Sequence, residues 1–502
     1  MPFDVSGPVW RERLRSSPFL LLVGFTLVLL LLRIHLFVWG DTWFNLVLGR
    51  QVAESGVLTH DRTTAVGWGT PVLDVQWLAH YAFYRIADAV GIAGLVLAGA
   101  TMVACTVVGG AALALRSGAS AGRTLLATLL AFMAIGAQLV LRAQTLAYPF
   151  FVLFPAMLWW DARAPRWQTW ALVPAAMLWA NLHGSVLLAP VFGGALLVAR
   201  VLDALRTGQP VPWRVTARDA VLAAALAVSI LATPYGLSVW RYYAATAGNP
   251  VFRDYITEWF PIWANTEIGP IALLLIVLLT LARGCRASDS FPLLVLGGLC
   301  IMLVSSVRHA TPLALACLVL LPRLLDTALG SMYPLDFSGI SPPLGRAVVM
   351  VTAVGFVVGV PLLAGKDNPH PGAESLEARV AAFSARQCLL VDEQRADRLI
   401  WYFPQLTGRI SHSVRVETIP LELLTTLGTA YAFPDTPAAR ALWRSYPLVA
   451  LDHRMHAPVI EVLSRDTQFE LLGQEGPLFV FRNRLGATLS DACARYAAAP
   501  HG

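Results

Sequence analysis

Apolar stretches of roughly twenty residues, long enough to cross a ~30 Å hydrocarbon core as helices, recur along positions 1–365 and are divided by short polar breaks. Spans are predicted at about 18–40, 90–115, 124–141, 146–160, 168–183, 185–199, 219–233, 270–283, 291–307, 311–322 and 347–364. Two of the breaks are long, one from Asp41 to about Ala89 and one from Thr233 to about Gly269. From about Lys366 the pattern changes: charged residues return, and short apolar runs alternate with helical stretches. "CLLVD" (388–392), "PLVALD" (447–452), "FELL" (469–472) and "LFVF" (478–481) are predicted strands, and 419–430, 437–445 and 457–464 are predicted helices. The expected fold class is an all-α polytopic membrane domain of about eleven spans over 1–365, followed by a small α/β domain over 366–502.

Composition narrows the function classes. With 57% hydrophobic and 14% charged residues, the chain departs from ordinary soluble enzymes, which carry nearer a quarter charged. A net charge of +6 would suggest nucleic acid if the basic residues clustered on one soluble face. Lys366 is the only lysine, however, and most arginines fall in one alternate set of loops. By the positive-inside rule that set is cytoplasmic. The N-terminus is then cytoplasmic, the C-terminal domain extracytoplasmic, and nucleic-acid binding drops out. The first span ends "FVWGD" without a small-residue cleavage site and reads as an uncleaved anchor of a multi-pass protein of the inner (plasma) membrane. The six cysteines lack CxxC or metal spacing. Cys105, Cys300 and Cys317 fall in spans as free thiols, whereas Cys388 and Cys493 lie in the exported tail and could pair. "GFVVG" (355–359) reads as a small-residue packing face within the molecule. There is no glycine-rich phosphate loop and no GxSxG or HExxH motif in the tail.

Polar residues gather on the expected outer face. Asp41 stands at the mouth of the first span; "LTHDRTT" brings His60 and Asp61, and "DVQWLAH" brings Asp74, Trp77 and His80. "LRAQT" supplies Arg142 and Gln144, and "WANLHGS" supplies Asn181 and His183. "SVWRYY" carries Arg241, "TEWFPIW" carries Glu258, and "SSVRHATP" carries Arg308 and His309. Each has a plainer reading. Arg142 and Arg241 could snorkel to lipid phosphates, and the Trp and Tyr residues could form an aromatic belt. Asn181 and His183 could be interhelical glue, His60–Asp61 a loop hydrogen bond, and Asp41 a helix N-cap. Segment 41–56 puts Trp43, Leu46, Val47 and Arg50 on one helical face, the pattern of a helix lying along the membrane interface. The inner loops show little beyond topology arginines. Ionisable groups gathered at one membrane face are a functional-site signal.

The arrangement of these stretches resembles the GT-C superfamily of membrane glycosyltransferases. More closely, it is similar to bacterial polytopic proteins related to the dolichyl-phosphate-mannose protein mannosyltransferases. "GDTWFNLVLGRQVAESGVLTHD", "RAQT", "WANLHGS", "TPYG", "EWFP" and "RHATPLALACLVLLP" carry the likeness, while Ala143, Thr233 and "VRVE" (414–417) depart from the usual pattern. The resemblance implies transfer of a sugar from a polyprenyl phosphate to an extracytoplasmic hydroxyl acceptor of a kind it does not name. It implies Asp41 as the base, with Asp61 and Glu258 as the other candidate acids. Arg142, Arg241, Arg308 and His309 would grip the donor phosphate, since a planar guanidinium binds two oxygens at once. His60, Trp77, Gln144, Asn181 and His183 complete the expected substrate-binding set, and Trp240 and Trp259 could stack on sugar faces. No cofactor is named; a divalent metal at Asp41 and Asp61 stays open, although Trp43 stands where a DxD pair would place its second acid. The alternative is a transporter or flippase, or a non-catalytic GT-C-like scaffold of a cell-envelope assembly. Transporters bury charges near mid-membrane in paired halves, and these spans are nearly free of acids with no internal repeat.

Overall fold

The computed structural model describes residues 12, 14–248, 256–264, 266–284, 289–330, 341–383 and 388–485. Their contacts divide into two compact units: the described residues of Met1–Phe37 with Val90–Asp367, and those of Val38–Ala89 with Asn368–Gly502. The sequence pattern assigns 41–89 to the membrane block. In the structure this segment belongs instead to the unit that holds the C-terminal sheet.

The first unit is built of helices that follow the expected spans: Ser17–Leu32, the part of Trp77–Arg116 beyond its break at Gly91, Ala121–Ile135, Tyr148–Arg163, Leu172–Leu182, Leu188–Thr207, Trp213–Ser229, Ile268–Gly284, Ser290–Ser305, Ala310–Leu329 and Pro342–Asp367. Among the described residues, four stretches, Trp77–Arg116, Gly184–Thr207, Val307–Leu329 and Pro342–Asp367, are long and apolar enough to cross a membrane, and four more helices are apolar but shorter. Gly91 has φ 70°, a conformation that only glycine adopts without strain, and the long helix breaks there. Helix Ala310–Leu329 is the centre of the unit, buried along nearly its whole length, with Ala121–Ile135, Tyr148–Arg163, Ile268–Gly284 and Ser290–Ser305 packed on it. Helix Pro342–Asp367 lies on Ser17–Leu32, where a side chain at Gly359 would meet Leu31 at 3.0 Å and one at Gly345 would meet Leu20 at 3.2 Å. Of the expected small-residue face, Gly359 packs within the molecule, whereas a side chain at Gly355 would meet nothing within 4 Å.

The two ends of this unit differ in chemistry. At one end Asp161 accepts from Arg218 Nη1 (2.7 Å) and Nη2 (3.0 Å), from Thr169 Oγ1 (2.7 Å) and from the Arg166 backbone N–H (2.8 Å). Asp219 takes Arg200 Nε at 2.5 Å and Arg218 Nη1 at 3.0 Å, while Arg163 Nε donates to Asp289 at 2.7 Å. Asp161 and Asp219 are fully buried, so removing one arginine would leave a buried charge uncompensated. This corrects the view of these loops as bare topology arginines: several of the arginines there pin helix ends together through acids. The other end collects Arg142, Asn181, His183, Glu258 and Arg308.

The second unit carries a four-stranded sheet, β1 (Leu390–Val391), β2 (Leu448–Asp452), β3 (Phe469–Glu475) and β4 (Leu478–Asn483), in the order β1-β2-β4-β3. β1 and β2 are parallel; β2–β4 and β4–β3 are antiparallel. Every residue of β2 is buried, as expected for a central strand covered on both faces. Helices Leu421–Ala432, Pro437–Arg444 and His453–Arg465 match the sequence reading, and Leu376–Phe383 and Glu393–Tyr402 are added to it. Helix Gly40–Ser55 does not present its apolar face to a membrane surface. Trp43, Leu46 and Val47 are buried, and Val47 sits in one core with Val391, Leu399 and Ile410. The face that suits an interface helix suits a protein core equally well, and here helix Glu393–Tyr402 covers it. Cys388 forms a disulfide, and Cys493 lies outside the described residues.

Candidate functional site

In the first unit, residues 136–147 leave helix Ala121–Ile135 through short 3-10 turns, with Arg142 extended between them. Arg142 Nη1 donates to Glu258 Oε1 at 2.5 Å. Glu258 occupies the single turn Thr257–Trp259, fastened to the segment before helix Ala310–Leu329: Ser306 Oγ donates to Glu258 O at 2.9 Å, and Val307 N donates to Phe260 O at 3.0 Å. The Arg308 guanidinium lies 4.1 Å from the Trp259 ring centroid, an attractive contact between a cation and the electron-rich ring face. Burial alone would push the Glu258 carboxyl up. The Arg142 charge and hydrogen bond, with the Arg308 charge, outweigh it and hold the carboxyl below its ordinary value. Glu258 is therefore a carboxylate near neutral pH, suited to orienting a cation or hydroxyl group and a poor proton donor. Arg142 and Arg308 flank the Glu258 carboxylate, with Glu267 a second acid close enough to feel it; a planar guanidinium is the side chain that grips two phosphate oxygens at once.

Around this cluster several expected ligands do structural work. Asn181 Nδ2 donates to Ala232 O at 2.7 Å and to Met177 O at 2.9 Å, tying helix Leu172–Leu182 to the end of Trp213–Ser229. His183 Nδ1 accepts from the Ser185 N–H at 3.1 Å and so caps the turn Gly184–Leu187. His309 Nδ1 faces the carbonyls of Met302 (2.9 Å) and Ser306 (3.1 Å). Because both partners only accept, Nδ1 carries a proton, and Nε2 is the nitrogen left for other work. Gln144 is buried within Ala143–Ala147. Arg241 is exposed on helix Val239–Gly248. Its neighbours Tyr242 and Tyr243 come within 3.5 and 3.6 Å of where a Gly184 Cβ would stand. Trp240 is exposed.

In the second unit Asp41 occupies the first turn of helix Gly40–Ser55 without being its N-cap. The flanking residue is Trp39, whose N–H donates to Thr42 Oγ1 at 3.3 Å. A carboxylate in the first turn still complements the helix dipole. Asp61 is buried at 1% exposure. Its Oδ1 accepts from Thr63 N at 2.8 Å, and its backbone joins the turn through Thr70 and Gly69. Its Oδ2 has no hydrogen bond, and a side chain at Gly67 would stand 2.3 Å from that oxygen. His60 is exposed, with Nδ1 3.0 Å from Thr59 Oγ1. Trp77 packs on Leu48, Val52 and Leu58. Asp74 Oδ2 and His80 Nδ1 pair at 3.0 Å, both buried.

Sequence reasoning passed over two groups here. Asp397 is fully buried with neither carboxyl oxygen hydrogen-bonded. Burial, the largest effect, pushes its carboxyl up to about 8; Ser413 opposes it, the charges of Asp61 and Asp41 add to it, and the Arg415 charge opposes it least. Arg415 is buried too; burial lowers its affinity for a proton, and the charges of Asp61, Glu417 and Asp74 more than restore it. Asp397 lies in "EQRADRLIWY", where it reads as an ordinary solvated helix acid. The one available signal was position: it shares a helical face with the apolar Ile400, three residues on.

No family model matches the chain, and no curated protein matches it. Among solved structures it is similar to the crystal structure of ArnT from Cupriavidus metallidurans in the apo state, at 15% identity and a TM-score of 0.48, covering 92% of this chain and 97% of that one. At that distance the likeness carries no argument about activity, which rests on the residues themselves.

Proposed function

We propose that the chain is an integral-membrane glycosyltransferase of the GT-C kind, moving a sugar from a polyprenyl-phosphate donor to an extracytoplasmic hydroxyl acceptor. The observation that supports this reading most is the convergence of Arg142 and Arg308 on Glu258 and Trp259 at one end of the apolar helices. A lipid phosphate rests at the level where membrane helices end. Phosphate is a competent leaving group, so the protein has to supply cations to hold its growing charge and one base for the acceptor's proton. The arginines fill the first role. Asp41 is proposed for the second, on the resemblance of its stretch to the GT-C pattern. Arg241, His309, His60 and Trp77 remain proposed donor or acceptor contacts.

Mass spectrometry of lipids retained through gentle detergent purification tests the donor. The expected result is a polyprenyl-phosphate sugar on the wild-type protein; bulk phospholipid alone would overturn the reading. Asp41→Asn tests the base. Because Asp41 is not the N-cap, the amide should leave stability nearly unchanged. Transfer should drop by roughly 10²–10⁴-fold, the usual worth of a positioned general base. Wild-type transfer in Asp41→Asn would pass the role to Asp61 or Glu258, whose Asn and Gln variants are the companions. Bound donor with no transfer in any preparation would favour a scaffold or flippase.

A further inference from the structure

The carboxyl ends of the two parallel strands carry acids for which sugar transfer has no use. β1 runs into Asp392 and β2 ends at Asp452, and each acid caps the helix that follows. Asp392 Oδ1 accepts from Gln394 N, and Asp452 Oδ1 accepts from Arg454 N, both at 2.9 Å. In open α/β sheets, ligands bind outside the carboxyl ends of the strands. Asp452 is already occupied, since Arg395 Nη2 and Arg454 Nη2 reach its Oδ2 at 2.9 and 2.7 Å.

Asp392 is different. Its remaining oxygen, Oδ2, stands 2.9 Å from His456 Nε2. Both atoms are buried, and beyond this mutual contact neither has a hydrogen bond among the described residues. Glu393 Oε2 lies 3.9 Å from the same nitrogen, and the ligand atoms of all three residues fall within 4.8 Å of one another. Asp392 is fully buried and His456 only 7% exposed, while Glu393 is half-buried and leaves the cluster a route to solvent.

The fold holds His456 in place. Helix His453–Arg465 departs from helical geometry at this residue (φ −127°, ψ 31°), and the Tyr431 ring stacks on the imidazole with centroids 4.3 Å apart and planes at 24°. Nearby, His412 Nδ1 is also buried without a hydrogen bond.

We propose that Asp392, Glu393 and His456 bind a divalent transition-metal ion, zinc being the best fit. Two ligand atoms about 2.1 Å from an ion stand about 3.0 Å apart at right angles and about 3.4 Å apart at the tetrahedral angle zinc prefers, so the Asp392 and His456 atoms, 2.9 Å apart, would open by about 0.5 Å to hold zinc. An imidazole nitrogen selects zinc over magnesium or calcium, which prefer all-oxygen shells. With ligands from β1's end and from the helix after β2, the ion would cross-link the parallel strand pair.

The test uses the full-length protein in detergent, stripped with chelator and dialysed, with zinc chloride as the probe. Calorimetry and elemental analysis should find one zinc per chain, and zinc should raise the melting temperature. Glu393→Gln keeps the Asp392–His456 pair and should fold, while binding zinc at least about tenfold more weakly. His456→Gln should lose binding further. Absence of stoichiometric zinc in the wild type would overturn the proposal and leave a plain histidine–aspartate ion pair. Zinc affinity unchanged in Glu393→Gln would overturn it as well, by placing the ion elsewhere.

Discussion

Arg50 and Trp401 meet twice: Arg50 Nη1 donates to the Trp401 carbonyl at 3.0 Å, and the guanidinium lies 5.2 Å from the centroid of the Trp401 ring. The second fork nitrogen donates to Ile400 O at 2.8 Å. The arginine thus satisfies two carbonyls that helix Glu393–Tyr402 leaves open at its end, where a cation also suits the helix dipole. Arg50→Ala is expected to destabilise the second unit by about 1.5–3 kcal/mol, the range for hydrogen bonds to a charged group. Arg50→Lys, which cannot bridge both carbonyls, should fall between the two. Thermal unfolding in detergent, followed by a probe in the Trp401 region, checks the order.

Substitution at the arginine cluster separates donor binding from lipid contact. Arg142→Lys keeps the charge but loses the planar fork, and it should weaken donor binding by about 1.5–3 kcal/mol. Exposed Arg241 provides the comparison: Arg241→Lys should stay nearer the wild type. Titrating a polyprenyl-phosphate sugar into both variants, with turnover measured alongside, gives the answer, and equal silence in both would remove the phosphate clamp.

Asp397 makes stability depend on pH. Its carboxyl is held up to about 8 in the fold, whereas an unfolded chain releases that proton near pH 4. The unfolded state therefore gains by ionising first, and stability declines as pH rises between those values, by up to about 1.4 kcal/mol per pH unit. His412, pushed down to about 4 by burial, pulls the opposite way up to its ordinary value near 6.5. Above that His456, where burial is outweighed by Asp392 and Glu393 and the proton affinity is raised, adds to the decline. The Asp397 share between pH 6.5 and 8 is therefore the difference between wild type and an Asp397 variant. Asp397→Asn should flatten the slope in that window and raise the melting temperature at pH 8. A wild-type profile that stays parallel to the variant's would show that Asp397 ionises in the fold as it does in water.

Close helix packing gives a further check. A Cβ at Gly49 would stand 2.0 Å from the His80 carbonyl oxygen and 2.6 Å from Tyr84 Cβ, so helices Gly40–Ser55 and Trp77–Arg116 would have to separate. Gly49→Ala should cost about 1–3 kcal/mol as an overpacked site. Gly109→Ala, which meets nothing within 4 Å, should be neutral or mildly stabilising through helix propensity.

The membrane helices and the strands of the tail were legible because each follows a strong period, a long apolar run or a short buried one. The Arg142–Glu258 pairing was half legible: Arg142 stands at an expected span end and Glu258 in a long loop on the same face, but partnership between positions 142 and 258 leaves no mark on either stretch. The role of helix Gly40–Ser55 was not legible, since an apolar face does not say whether lipid or protein covers it. Asp161 and Asp219 were hidden for a related reason. An acid beside a basic loop looks like a surface charge until folding buries it. His456 and Asp392, far apart in the chain, become neighbours only once β1 and β2 pair.

The second unit is assembled from two separated pieces of chain, and this sets a schedule. Residues 38–89 are synthesised long before residues 368–485, and the helices of the first unit between Gly91 and Asp367 must be made in the interval. At ~5–20 residues per second the early piece waits roughly 15–60 s for its partner. Through that wait Trp43, Leu46 and Val47 have no core to enter. A nascent chain halted before the tail would display an adhesive, unfinished surface, so C-terminal truncations should be cleared by proteolysis even when every membrane helix is intact.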